Sequence, residues 1–221
     1  MLAAVLFDMD GLLVDSEPVW TVAEVELAQQ LGGEFTPELK AAIVGTRLEV
    51  AVPTILGWYG APTDDATVAR TSAWLLARMV ELFGERPPLL PGVPELLGEL
   101  AAAGVPTALV SSSYRVLVDA VLQHGIGPFR TTVAGDEVTH GKPHPEPYLL
   151  AAARLEVDPA RCVVLEDSPA GVASGEAAGC VVVAVPSVPG VELESAPGRL
   201  VVPTLAGVGV AELRVLVPRA A

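Results

Sequence analysis

The first apolar run of the chain ends in two aspartates that are separated by one residue. Asp8 and Asp10 follow this run in the stretch VLFDMDG, and Gly11 comes directly after them. Side chains two positions apart on an extended backbone point to the same side, so both carboxylates can face one spot. One carboxylate can then act as a nucleophile while the other transfers protons.

Polar residues also come at the end of three later apolar runs or shortly after them. They are Ser111, Ser112, Ser113, Lys142, Glu166 and Asp167. Open α/β sheets bind their ligands at the carboxyl ends of the strands. If the runs are strands of one sheet, these residues meet the two N-terminal aspartates at one edge.

The charge at that edge calls for a counter-ion. The carboxylates contribute −4 and Lys142 contributes +1, which leaves −3; the acidic residues are Asp8, Asp10, Glu166 and Asp167. At about 4 Å and an effective dielectric constant near 20, each like-charge pair costs about 4 kcal/mol. Either several of these groups are protonated or a divalent cation lies among them. Carboxylate oxygens are ligands that suit Mg²⁺.

The same groups suit phosphoryl transfer. A carboxylate that attacks a phosphoryl group brings two anions together, and a metal ion, a lysine, serine hydroxyls and helix N-terminal amides can neutralise that encounter. The product of the attack is an aspartyl phosphate. A second aspartate can protonate the leaving oxygen and later deprotonate the attacking water.

The elements that would position these residues are a parallel sheet and its helices. Six short apolar runs, most of them without strict alternation, indicate strands buried on both faces. They span residues 2–8, 105–111, 130–135, 161–167, 180–185 and 199–203. Helical segments lie between several of them, at 94–104, 114–125, 146–156 and 169–179. This alternation predicts an α/β fold with a doubly wound parallel sheet.

Residues 16–84 depart from the alternation. They contain two long helical stretches and all three tryptophans, but no strong parallel-strand run. We therefore expect an all-helical domain at 16–84, inserted into a catalytic core formed by 1–15 and 85–221. The proline-rich stretch ERPPLLPGVPELL is the expected return linker.

Four motifs together resemble those of the haloacid dehalogenase-like hydrolase superfamily. They are DMDGLLVDSEP, LVSSS, GKPHPEPY and VVLEDSPAGVASGEAAG, in the family's order between residues 8 and 179. The resemblance is greatest to the helical-cap subgroup, which includes sugar-phosphate phosphatases and beta-phosphoglucomutase. It implies a Rossmann-like core, with the 16–84 insertion as a mobile cap that excludes water and selects substrates.

The resemblance also implies roles for individual residues. Asp8 would be the nucleophile and Asp10 the general acid/base, while Ser111, with Ser112 beside it, and Lys142 would bind the phosphoryl oxygens. Mg²⁺ would be held by Asp8, the Asp10 backbone carbonyl, Asp167 and the adjacent Glu166.

Other residues leave alternatives open. In the predicted cap, Glu17 and Arg47 are either substrate contacts or, respectively, a hinge residue and a solvated surface residue. His140 and His144 have a spacing that a metal ion can use, but Pro143 between them disfavours a continuous helix, so we read both as loop residues. Glu146 stands where family members often carry aspartate, a difference that we expect to affect helix capping more than chemistry.

The composition limits the partners and the location. The 221 residues are 51% hydrophobic and carry a formal net charge of −14, which disfavours nucleic acid and anionic membranes as partners. Cys162 and Cys180 begin apolar runs and are read as core residues. No signal-peptide pattern opens the chain and no apolar run reaches 18 residues, so we expect a cytoplasmic protein. We also expect a monomer, although the sequence has no feature that fixes the oligomeric state.

These observations predict a hydrolase that acts on phosphate monoesters. The expected enzyme is a Mg²⁺-dependent phosphatase that hydrolyses a small phosphorylated metabolite, such as a sugar or polyol phosphate, through an aspartyl phosphate. The alternative is a phosphomutase of the beta-phosphoglucomutase type. Relatives that are mutases tend to carry a histidine near the cap entrance, whereas the segment Asp15-Ser16-Glu17-Pro18 contains none.

Overall fold

The computed structural model of the chain describes residues 1–44, 46–84, 87–187 and 193–218. Residues 85 and 86 of the predicted return linker lie outside this description. By its internal packing the chain divides into two compact units. We call Ser16–Arg86 the helical unit, and Met1–Asp15 together with Pro87–Ala221 the sheet unit.

The helical unit contains four helices in its described residues: α1 (Glu17–Gln30), α2 (Pro37–Ile43), α3 (Leu48–Trp58) and α4 (Asp65–Leu82). Two of them begin at side-chain caps. The Thr36 hydroxyl accepts a hydrogen bond from the Leu39 N–H before α2, and an Asp64 carboxylate oxygen accepts one from the Thr67 N–H before α4. Such caps satisfy backbone N–H groups that the first helical turn leaves unpaired. Helix α1 packs on α4, and α3 packs on both α2 and α4.

A polar cluster ties α1 to α2 inside the helical unit. Lys40 Nζ donates a hydrogen bond to Glu24 Oε2 at 2.7 Å and also pairs with the Glu17 carboxylate. Glu24 is only 7% exposed. Burial raises the pKa of Glu24, and Lys40 opposes that rise. The ion pair with Lys40 therefore offsets part of the free-energy cost of burying the Glu24 carboxylate.

The sheet unit contains six parallel strands in its described residues: β1 (Ala4–Phe7), β2 (Thr107–Val110), β3 (Thr131–Val133), β4 (Cys162–Glu166), β5 (Val181–Ala184) and β6 (Arg199–Val201). Their order across the sheet is β3-β2-β1-β4-β5-β6. The chain thus builds outward from β1 in one direction and then returns to build in the other. This is the order of a Rossmann-like, doubly wound sheet, so the predicted fold class is confirmed.

The α-helices of the sheet unit in the described residues are α5 (Val93–Ala102), α6 (Arg115–Leu122), α7 (Glu146–Leu155), α8 (Pro169–Ala177) and α9 (Val210–Leu216). Helices α7 and α8 cover one face of the sheet. Ala4 and Leu6 of β1 belong to the apolar cluster on that face, while Val5 and Phe7 alternate with them and are equally buried. Burial on both faces explains why the strands read as continuous apolar runs.

Among the helices of the described ranges, none has both the length and the apolar character that are needed to cross a membrane.

The Lys40 cluster gives the first prediction, which concerns stability. Replacing Lys40 by Met removes the partner of the buried Glu24 carboxylate, so we expect the free energy of unfolding to fall by about 2 kcal/mol, measured by thermal unfolding. Arg47→Ala is the control, because Arg47 contacts Glu49 at 3.6 Å through side chains that are both about half exposed. Such a pair contributes little to stability. Equal melting temperatures for Lys40→Met and the wild type would contradict this role.

Candidate active site

Three adjacent strands end at the candidate site. Strand β1 pairs with β2 on one side and with β4 on the other, so their carboxyl ends lie next to one another. Asp8 follows β1, Ser111 follows β2 and Glu166 is the last residue of β4. The chain reverses its winding direction at β1, which is the position where open α/β sheets bind ligands.

Lys142 joins the ends of all three strands. Its Nζ donates hydrogen bonds to Asp8 Oδ1 at 2.5 Å, to Glu166 Oε1 at 2.6 Å and to the Val110 carbonyl at 2.9 Å. The side chain is 4% exposed. Burial alone would lower the pKa of Lys142, but the charges of Asp8 and Glu166 hold it above the ordinary value. Lys142 is therefore a fixed positive charge at this site.

Glu166 is fully buried, and both of its carboxylate oxygens are occupied. Oε1 accepts from Lys142 and from the Tyr148 hydroxyl at 2.8 Å. Oε2 accepts from the N–H groups of Asp167 and Ser168 and from the Ser168 hydroxyl, at 3.0 to 3.2 Å. Burial would raise the pKa of Glu166, but Lys142 and these hydrogen bonds hold it below the ordinary value. Glu166 is thus an anion whose oxygens are committed to the protein itself.

Asp8 and Asp167 have the opposite electrostatic character. Burial, together with the neighbouring carboxylates, raises the pKa of Asp8 well above its ordinary value although Lys142 opposes the rise. Burial and the charge of Glu166 raise the pKa of Asp167 to about 7. The Ser187 hydroxyl donates a hydrogen bond of 2.5 Å to Asp167 Oδ2. In the absence of a metal ion, these two carboxyl groups therefore tend to hold protons.

The second N-terminal aspartate faces the serines after β2. Asp10 Oδ2 accepts hydrogen bonds from the Ser111 hydroxyl at 3.2 Å and from the Ser113 hydroxyl at 2.8 Å. Its other oxygen, Oδ1, is buried and has no hydrogen-bond partner among the described residues. Ser112 is exposed, and the Ser113 hydroxyl faces Asp10. Phosphate binding by Ser112 stays a prediction.

The donor set of the site fits Mg²⁺. Asp8, Glu166 and Asp167 each present a carboxylate oxygen, and these three atoms lie within 4.8 Å of one another. All of the donors are oxygens, which Mg²⁺ prefers over nitrogen or sulfur. Burial, and after it the neighbouring carboxylates, raises the pKa values of Asp8 and Asp167, and a bound dication would favour their ionised forms.

Two glycines let carboxylates approach the backbone. Gly11 has a φ of +80°, and a Cβ atom there would lie 2.2 Å from Asp167 Oδ2. A Cβ at Gly171, in the first turn of α8, would lie 1.7 Å from Glu166 Oε1. Any larger residue at either position would displace a carboxylate of the site. Both glycines belong to the motifs that carry the family resemblance.

Some site residues were missed by sequence analysis. Tyr148 falls in an apolar helical pattern that reads as core, although its hydroxyl reaches Glu166. Ser187 lies after β5, outside every motif, and no sequence signal distinguishes it. Neither residue type is diagnostic of a site without the fold that brings it there.

The two predicted substrate residues lie in the helical unit. The Glu17 carboxylate pairs with Lys40, and the Arg47 guanidinium lies 3.6 Å from Glu49 Oε2. Both side chains are about half exposed. Their contact with a substrate stays a prediction.

The sequence matches the family model of the haloacid dehalogenase-like hydrolases over residues 2–179. The chain therefore belongs to this family. It is similar to hexitol phosphatase B of Escherichia coli (strain K12), with 34% identity over 192 residues that cover 83% of this chain and 83% of that protein. It is also similar to the probable pseudouridine-5'-phosphatase of Drosophila melanogaster, with 35% identity over 189 residues, or 82% of this chain and 80% of that protein.

Solved structures agree with these relationships. The structure of CbbY from Rhodobacter sphaeroides in complex with xylulose-(1,5)bisphosphate matches with a TM-score of 0.83 at 27% identity, over 96% of this chain and 99% of that chain. The predicted family is confirmed. The predicted enzyme class, a hydrolase that acts on phosphate monoesters, is confirmed as well.

The close approach of the Glu166 carboxylate to Gly171 gives a prediction for both stability and activity. Gly171→Ala forces the Glu166 carboxylate away from α8, so we expect a loss of about 2–3 kcal/mol in the free energy of unfolding and a fall in turnover. Gly98→Ala is the matched control, because Gly98 is an exposed helical glycine with nothing within 4 Å of the added Cβ. Helix propensity makes that change neutral or stabilising by up to about 1 kcal/mol. Similar melting temperatures for the two variants would refute the close approach.

The pKa of Asp167 gives a prediction for pH. Between about pH 4 and pH 7 the native state holds a proton that the unfolded state releases, so this group stabilises the fold at the acidic end and loses its contribution as pH rises through 7. In EDTA, we expect the melting temperature of the wild type, relative to that of Asp167→Asn, to decrease between about pH 5.5 and pH 8. Added Mg²⁺ should raise the wild-type melting temperature more at the higher pH. A difference that increases with pH would exclude this assignment.

Proposed function

We propose that the chain is a Mg²⁺-dependent phosphatase that hydrolyses a small phosphorylated metabolite, a sugar or polyol phosphate, through an aspartyl phosphate on Asp8. The observation that supports this most directly is the buried Asp8 carboxylate, which Lys142 contacts at 2.5 Å and which lies within 4.8 Å of carboxylate oxygens of Glu166 and Asp167. Two anions can react there because positive charge is already in place.

In the first step, an Asp8 oxygen attacks the phosphorus atom. The bond from phosphorus to the leaving oxygen breaks, and Asp10, in its acid form, gives its proton to that oxygen. The hydroxyls of Ser111 and Ser113 both donate to Asp10 Oδ2 and would hold this carboxyl group in position for the transfer. Lys142 and Ser111 would bind the phosphoryl oxygens during the transfer.

In the second step, the aspartyl phosphate is hydrolysed. Asp10, now a carboxylate, takes a proton from a water molecule as the water oxygen attacks phosphorus. The bond between phosphorus and the Asp8 oxygen breaks, inorganic phosphate leaves, and both aspartates return to their starting forms. The two aspartates therefore need no further co-reactant than water.

The Mg²⁺ would be held by the side chains of Asp8 and Asp167 and by the backbone carbonyl of Asp10. When bound, it supplies positive charge to the transferring phosphoryl oxygens. Because both oxygens of Glu166 already accept hydrogen bonds from the protein, we propose that Glu166 acts mainly by positioning Lys142. Residues 16–84 are proposed to act as the cap, with Glu17 and Arg47 as substrate contacts.

A phosphatase accounts for the comparisons better than a phosphomutase. The two relatives above 30% identity that are described here are named as phosphatases. A solved structure named beta-phosphoglucomutase, from Clostridium difficile, is 24% identical and supports only the fold. The segment Asp15-Ser16-Glu17-Pro18 also lacks the histidine that mutases tend to carry.

The nucleophile is tested by Asp8→Asn. An amide cannot form the acyl phosphate, so we expect turnover of p-nitrophenyl phosphate and of hexitol phosphates to fall by at least about 10⁴-fold, with the melting temperature retained. Asp119→Asn, which removes an exposed carboxylate from α6, should behave as the wild type. The assay follows released phosphate with Mg²⁺ and with EDTA.

Two results would contradict the proposal. Wild-type turnover by Asp8→Asn would remove Asp8 as the nucleophile. An isomerised sugar phosphate without stoichiometric phosphate release would assign the enzyme to the mutases.

A further inference from the structure

A second cluster of metal-ligating side chains lies on the surface of the sheet unit, in the loop before α7. His140, His144 and Glu146 each present a ligand atom, and these atoms lie within 4.8 Å of one another. The side chains of the two histidines are at least half exposed, so an ion can reach them without any opening of the fold. We propose that this cluster binds one Zn²⁺ ion, at a site separate from the acidic site.

The spacing of the ligand atoms suits zinc. Glu146 Oε2 lies 3.0 Å from His140 Nδ1 and 4.0 Å from His144 Nδ1. A tetrahedral zinc with bonds of about 2.1 Å sets its ligand atoms about 3.4 Å apart. The two observed separations bracket this value. The imidazole rings lie beside each other, with centroids 4.6 Å apart.

The loop backbone holds the cluster in place before any ion binds. Glu146 Oε1 accepts from the Thr139 N–H at 2.8 Å, and Oε2 accepts from the His140 N–H at 2.9 Å. The Glu146 N–H in turn donates to His144 Nδ1 at 3.2 Å. Because His144 Nδ1 accepts this hydrogen bond it carries no proton, and an ion would take its lone pair from the Glu146 N–H. His140 Nδ1 and Glu146 Oε2 are hydrogen-bonded to each other at 3.0 Å, and the ion would replace the hydrogen between them. Ligands positioned in this way lose little freedom on binding.

The donor types separate this cluster from the acidic site. Two imidazoles with one carboxylate are typical zinc ligands, with a fourth position left for water. Mg²⁺ prefers oxygen donors, which are the only side-chain donors that Asp8, Glu166 and Asp167 offer. Zn²⁺ at the surface and Mg²⁺ at the strand ends would therefore be chosen by different chemistry.

The position of the cluster gives it a connection to the candidate active site. His140 and His144 lie two residues on either side of Lys142, whose Nζ contacts Asp8. An ion bound by both histidines would tie together the two ends of the short segment that carries Lys142. Zinc binding is expected to stabilise this loop, and the inference does not depend on the phosphatase activity.

The experiment is a calorimetric titration of the full chain with Zn²⁺ in the presence of excess Mg²⁺, which is added to compete for the acidic site. The chain contains three histidines, so the design is complete with His140→Ala, His144→Ala and the control His124→Ala. We expect one Zn²⁺ per chain, at least about 10-fold weaker binding in each of the first two variants, and unchanged binding in the control. Asp167→Asn, which alters the acidic site, should retain the zinc site.

A second measurement identifies the ligands without reference to activity. X-ray absorption at the zinc edge should show two imidazole ligands per zinc in the wild type and one in His144→Ala. Equal Zn²⁺ affinity in all three histidine variants would overturn the proposal. A zinc ion surrounded only by oxygen would also overturn it, because that ion would lie in the acidic site.

Discussion

One buried ammonium group, that of Lys142, is the interaction on which the candidate active site depends. It contacts Asp8 at the end of β1, the Val110 carbonyl at the end of β2, and Glu166 at the end of β4. Carboxylates packed this closely without a positive charge would repel one another by several kcal/mol for each pair. Lys142 therefore allows three strand ends to bring acidic groups together, and Tyr148 and the start of α8 hold its partner Glu166.

The acidic groups around Lys142 divide into two electrostatic kinds. Glu166 receives enough hydrogen bonds to remain ionised in a dry environment, whereas Asp8 and Asp167 have raised pKa values because burial and neighbouring charge outweigh their hydrogen bonds. Glu166 holds Lys142 in position, whereas the negative charge of Asp8 and Asp167 must be balanced by a proton or a metal ion. Lys142 thus stabilises the ionised Glu166 and leaves the carboxyl groups of Asp8 and Asp167 available for a metal ion or for reaction.

The sequence was sufficient to predict those parts of the site that depend only on where the strands end. All six predicted runs contain a strand, and Asp8, Ser111 and Glu166 lie at strand ends because parallel strands deliver residues to one edge. The direction of a side chain after a strand end depends on the turn that follows. The sequence therefore did not predict which of Ser112 and Ser113 faces Asp10.

The sequence motifs did not predict the site residues that do not follow directly from a strand end. Tyr148 has the apolar spacing of a core residue, and Ser187 lies in an unmarked segment after β5. The pairing of Glu17 with Lys40 was equally hidden, because it depends on how α1 and α2 pack.

The central position of β1 affects how the molecule must assemble. Val5 pairs with Thr107 and with Val163, so the middle strand of the sheet is made first but finds its neighbours about a hundred or more residues later. Closing loops of this length costs entropy before any contact repays it, which slows folding. The helical unit, by contrast, is one continuous stretch of chain. During synthesis, the helical unit is therefore complete before either strand that pairs with β1 has been made.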